Sequence, residues 1–91
     1  MKKARRIFLT GSVQSITFKN FLVENAKRLG LRGFLRERED GKIELFVEGD
    51  GEKVREMSEI CKRGDGHVQI RNYEDKEEKF QGFKEFKLVR I

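Results

Sequence analysis

A chain of 91 residues has room for one domain and no more, so a single domain over 1–91 is expected. Charged residues make up 41% and hydrophobic residues 36%, which implies a small core inside a wet surface, with eight Phe supplying much of the buried area. The net charge of +5 favours small anions or nucleic acid as partners, and the single cysteine, Cys61, excludes an internal disulfide. No segment is long enough to span a membrane, and the N-terminus lacks the apolar run of a signal peptide, so no membrane partner and a cytoplasmic location are expected.

In chain order, Ile7-Phe8-Leu9 within Arg5–Thr10 reads as a buried strand, with Lys2, Lys3, Arg5 and Arg6 as a solvated basic lead-in and Gly11 as its end. Phe18, Phe21, Leu22, Ala26 and Leu29 recur at helical spacing and form one apolar stripe. Ser15 or Thr17 can cap the start of that helix, and Gly30 is placed as its left-handed stop. Residues 33–39 and 42–48 flank Asp40-Gly41, a two-residue hairpin signal. Ile43, Leu45 and Val47 alternate with Glu44, Phe46 and Glu48, so this strand should bury one face.

Asp50 can cap a second helix whose stripe is Val54, Met57, Ile60 and Cys61, ending at Gly64. His67 to Tyr73 reads as a further strand, the charge run Glu74 to Lys79 as a loop, and Phe86 to Ile91 as a last strand. The order βαββαβ plus a terminal strand is that of the ferredoxin-like α+β sandwich, an antiparallel sheet with two helices on one face. That fold carries many functions, so the function must be read from a site.

Gly11-Ser12-Val13-Gln14-Ser15-Ile16-Thr17-Phe18-Lys19 lies between the first strand and the first helix. Free N–H groups and the helix dipole favour an anion at such a helix start, and Lys19 adds a positive charge in the first turn. These properties alone also fit an ordinary strand-to-helix turn. His67 has no ligand partner at metal spacing, Cys61 lies on a buried stripe without a nearby histidine, and Asp40 and Asp50 belong to a turn and a cap. No metal or cofactor is expected. An RNA-binding reading draws on Arg32-Gly33-Phe34 and on Phe46 as a possible stacking ring, but the stretch does not continue as the RNA recognition motif requires, Phe46 reads more simply as packing on the sheet face away from the helices or as a covered edge, and nucleic acid ranks below a small anion.

The chain resembles the acylphosphatases. Their loop G-x-V-Q-G-V-x-F-R reads here G-S-V-Q-S-I-T-F-K over residues 11–19. Their A-x-x-L-G-L-x-G-W-V-x-N stretch aligns with Ala26 to Glu37, followed by Asp40-Gly41, and their F-x-I with Phe86-Lys87-Leu88. The resemblance implies hydrolysis of the carboxyl–phosphate bond of acyl phosphates without metal or cofactor. It implies a phosphate held by the loop amides of Val13, Gln14, Ser15, Ile16, Thr17 and Phe18 together with an arginine, and water positioned by an asparagine. The arginine position is Lys19 and the asparagine position is Glu37, so both catalytic positions are substituted; Ser15 also replaces the loop glycine. Lysine lacks the planar fork of arginine, and an ionised glutamate repels phosphate where an amide would both donate and accept. A protein with an anion-binding loop and low or absent hydrolysis is therefore expected, with Lys19 and Glu37 in contact. The alternatives are an active enzyme using Lys19 in the arginine role, and a basic nucleic-acid-binding module. A monomer is expected.

Overall fold

The computed structural model describes residues 1–90. The elements are β1 (Lys2–Gly11), α1 (Ile16–Arg28), β2 (Arg32–Glu37), β3 (Ile43–Asp50), α2 (Gly51–Arg63), β4 (Ile70–Glu78) and β5 (Phe86–Val89). The five strands form one sheet in the order β4-β1-β3-β2-β5. The β1–β3, β1–β4 and β2–β3 pairs are antiparallel, and β5 adds to the β2 edge in parallel. The sandwich expected from the sequence is thus present, with β5 as the short extra strand. The expected last strand extended to Ile91, which lies outside the described residues.

The core lies between the sheet and the two helices. Ile7, Leu9, Leu35, Ile43, Leu45 and Val47 from the strands meet Phe18, Leu22, Ala26, Val54, Met57 and Cys61 from the helices. Burial pushes the Cys61 thiol pKa up to about 12, so it is a packing residue rather than a nucleophile.

Helix ends follow local chemistry. Ser15 is the N-cap of α1, its Oγ accepting the Phe18 N–H at 3.3 Å. The C-terminus closes as a Schellman motif: Gly30 N–H donates to the Lys27 carbonyl and Leu31 N–H to the Ala26 carbonyl, with Gly30 at φ 73°. Asp50 occupies the N-cap position of α2, but its carboxylate makes no capping hydrogen bond and lies instead 3.9 Å from the Met1 amine.

Three expectations require correction. The Asp40-Gly41 connection is a five-residue loop over 38–42, closed by Arg38 N–H to the Lys42 carbonyl, rather than a two-residue turn. The charge run after Tyr73 is strand, because β4 extends to Glu78, and the strand opens at Ile70 rather than His67. Its acidic residues answer the basic start of β1, which is itself strand: Arg5 reaches Asp75 at 3.2 Å and Arg6 reaches Glu78 at 2.9 Å. An edge strand needs only one paired side, and charge on its other side is compatible with the sheet.

The third correction concerns β3, which buries both faces: Glu44, Phe46 and Glu48 are as inaccessible as Leu45 and Val47. The face turned from the helices carries its own cover. Phe46 packs against Phe34 and Phe83 at centroid distances of 6.0 and 5.4 Å, and the Arg6 guanidinium sits 5.2 Å above its ring. No ring is left on β3 for stacking a base. Glu44 accepts from Arg6 and from Arg36 Nε at 2.8 Å. Glu48 accepts the backbone N–H groups of Gln81 at 2.6 Å and Phe83 at 2.5 Å, which ties the segment after β4 across the sheet. At Gly33 (φ 138°) a Cβ would lie 1.8 Å from the Phe46 carbonyl oxygen, so no side chain fits there.

Burial opposes ionisation of Glu44, but the hydrogen bonds from Arg36 and Arg6 outweigh it and hold the carboxyl below its usual pKa. A lowered pKa contributes stability above the unfolded value, and that stability is lost as pH falls through the folded one. Glu44→Gln should therefore cost about 2 kcal/mol at pH 7. In urea titrations the gap to the wild type should shrink as pH drops below the ordinary value of 4.5. A gap that is the same at pH 7 and pH 3 would contradict this account.

Candidate functional site

Gly11 ends β1 at the point where the chain must turn into α1. Its φ of 141° brings the backbone so close to β4 that a Cβ would meet the Gln69 carbonyl oxygen at 2.1 Å. Ser12 N–H donates to the same carbonyl at 2.9 Å, which fixes the root of the loop. Val13 is fully buried and anchors the loop in the core. The side-chain amide of Gln14 donates to the Gly41 carbonyl at 2.9 Å, so Gln14 braces the loop against the 38–42 connection. Ser15 has φ −58° and ψ 134°, a conformation open to any residue, so the position does not demand glycine.

From residue 13 to residue 17 the backbone N–H groups make no hydrogen bond within the described residues. They are the orphan donors of a helix start. The next one, on Phe18, is taken by Ser15 Oγ, and Lys19 N–H reaches the Ser15 carbonyl at 3.0 Å. The first turn contains no acidic residue.

Lys19, on the first turn of α1, meets Glu37, the last residue of β2, in an ion pair; their side chains are 16% and 35% exposed. Sequence reasoning expected this contact, and the structure makes it. The register explains the meeting: Glu37 and Leu35 share the face of β2 that looks towards the helices, and Leu35 lies in the core. The pair sits in an open cleft whose walls include Ile16, Arg38, Leu88 and Arg90. Sequence reasoning did not single out the last three for the site. Leu88 and Arg90 come from the far end of the chain, brought in by the parallel pairing of β5 with β2. Only that pairing, between residues 53 positions apart in sequence, could have revealed them. Arg38 is also held from the other side: its guanidinium lies 5.5 Å over the Phe8 ring and 3.8 Å from the Glu44 carboxylate.

Other candidates fall away from the cleft. The His67 N–H donates to Asp65 at 2.8 Å within the turn before β4, and Asp40 accepts from Lys42 N–H at 3.0 Å within its own loop. Among the described residues no group of three His, Cys, Asp or Glu is placed to hold a metal, and no helix is long and apolar enough to cross a membrane.

A small α+β sandwich with open helix-start amides and a lysine facing a strand-end carboxylate is a broad class of fold and site. Comparison with known proteins narrows it. A sequence profile described as Acylphosphatase matches residues 5–88. An acylphosphatase of Syntrophobacter fumaroxidans is 33% identical over 81 residues, covering 89% of this chain and 84% of its own. One from Pyrobaculum aerophilum is 34% identical, covering 98% and 97%. The crystal structure of acylphosphatase from Bacillus subtilis superposes with a TM-score of 0.91 at 26% identity, covering 99% of this chain and all of that one. The chain belongs to the acylphosphatase family.

The cap at Ser15 is measurable by itself. Ser15→Ala should lower unfolding free energy by about 1 kcal/mol, whereas Ser15→Gly should cost only a few tenths. Equal losses in chemical denaturation would mean that the Ser15 Oγ to Phe18 N–H bond contributes little.

Proposed function

We propose that this family member binds a small phosphorylated or carboxylate anion at residues 13–19 and hydrolyses acyl phosphates slowly or not at all. The observation that supports this most is the Lys19–Glu37 ion pair, which falls on the positions where the family resemblance expects arginine and asparagine. The relatives' shared name, acylphosphatase, points to an acyl phosphate as the kind of anion.

The proposed loss of activity has a physical basis. Hydrolysis of an acyl phosphate adds water to phosphorus and releases a carboxylate, so the site must orient a phosphate and a water at once. Lys19 is a point charge and cannot grip two phosphate oxygens in one plane. Its charge is already matched by Glu37, whose carboxylate would repel a phosphate approaching Lys19. Ser15 Oγ fills one amide that a glycine would leave open. Glu37 and Ser15 thus supply from within the chain partners that the ligand would otherwise provide. Catalysis by positioned charge is sensitive to such changes, with single donors worth roughly 100- to 1000-fold in rate. Binding is less sensitive, because the pair lines an open cleft where a dianion can compete with Glu37 for Lys19.

Benzoyl phosphate hydrolysis, followed as phosphate release above the spontaneous rate, tests the proposal. The wild type should remain near the spontaneous rate, and the Lys19→Arg, Glu37→Asn double variant should exceed it by at least about tenfold. A wild type that hydrolyses the substrate efficiently would overturn the reading and make Lys19 and Glu37 a working catalytic pair.

A further inference from the structure

Ile16 opens α1 with its side chain 51% exposed, although the helix behind it buries Phe18, Leu22 and Ala26. It is not part of the core cluster. An exposed β-branched side chain at a helix start brings neither capping nor packing. Across the cleft, Leu88 of β5 is half-buried and packs with its inner side on the core. It pairs in register with Leu35, two residues before Glu37, so it stands on the same helix-facing side as the Lys19–Glu37 pair. The cleft therefore has an apolar wall of Ile16 and Leu88 beside a charged end that holds the Lys19–Glu37 pair, Arg38 and Arg90. A bare phosphate has no use for that wall. A phosphate carrying an organic group can satisfy both ends at once.

We propose that Ile16 and Leu88 seat the organic group of the bound anion, so that the site selects acyl phosphates with a larger apolar acyl group over those with a small one. This specificity rests on reading residues 13–19 as the anion cradle.

Two phosphonates that share a headgroup separate the two ideas: methylphosphonate and benzylphosphonate, titrated into the wild type and into Glu37→Gln with the loop amides followed by NMR. Benzylphosphonate should bind at least about fivefold more tightly, because the ring removes apolar surface of Ile16 and Leu88 from water. Ile16→Thr keeps a β-branched residue at the helix start and should bring the affinity ratio of the two ligands close to one. Equal affinities in the unsubstituted protein would overturn the apolar seat while leaving the cradle intact. So would a benzyl preference that persists in both Ile16→Thr and Leu88→Thr. If neither phosphonate binds the wild type or Glu37→Gln, the cradle itself is refuted and the seat with it.

Discussion

The central strand of this sheet must be shielded on both faces, and the two helices can shield only one. Everything on the second face follows from that constraint. β3 lies between β1 and β2 and carries Glu44, Phe46 and Glu48 on the side away from the helices, all nearly inaccessible. A buried carboxylate needs partners, and a buried ring needs cover. Arg6 and Arg36 meet Glu44 from the two neighbouring strands, and Arg6 also roofs Phe46. Glu48 draws in the chain after β4 through two backbone N–H groups, and that segment brings Phe83 onto Phe46. The polar layer is thus a third stratum of the fold, built from charge and aromatic faces rather than from helices.

This layer also places the site. The Glu48 contacts lead the chain across the sheet towards the edge of β2, where Gly33 N–H donates to the Glu85 carbonyl at 3.0 Å and Phe86 begins the parallel pairing. That pairing brings Leu88 and Arg90 beside the end of β2. On the helix side, the close approach at Gly11 and the brace from Gln14 set where α1 begins, and hence where Lys19 meets Glu37. Two structural devices on opposite faces of the sheet therefore converge on one cleft.

Much of this was legible in the sequence where the signal was local. The helix stripes, the serine cap, the Gly30 stop and the overall order of elements were read from neighbouring residues, and the loop and strand motifs carried the family resemblance. The Lys19–Glu37 contact also followed, because the resemblance put both residues at one pocket. What resisted reading was settled by partners distant in sequence. Glu74–Glu78 has the composition of a loop and becomes strand because Arg5 and Arg6 lie opposite it. Glu44 and Glu48 look like a solvent face by alternation and are buried because residues up to 38 positions away satisfy them. Leu88 and Arg90 join the cleft by a parallel pairing for which no local pattern exists.

The hydroxyl of Ser15 has a double consequence. The hydrogen bond that steadies the start of α1 uses a donor that an anion would otherwise receive, so helix stability and ligand affinity are opposite readings of a single contact. Ser15→Gly would return the Phe18 N–H to the loop and give up the cap with it. Position 15 is thus a point of exchange between the steadiness of the helix start and the openness of its amides.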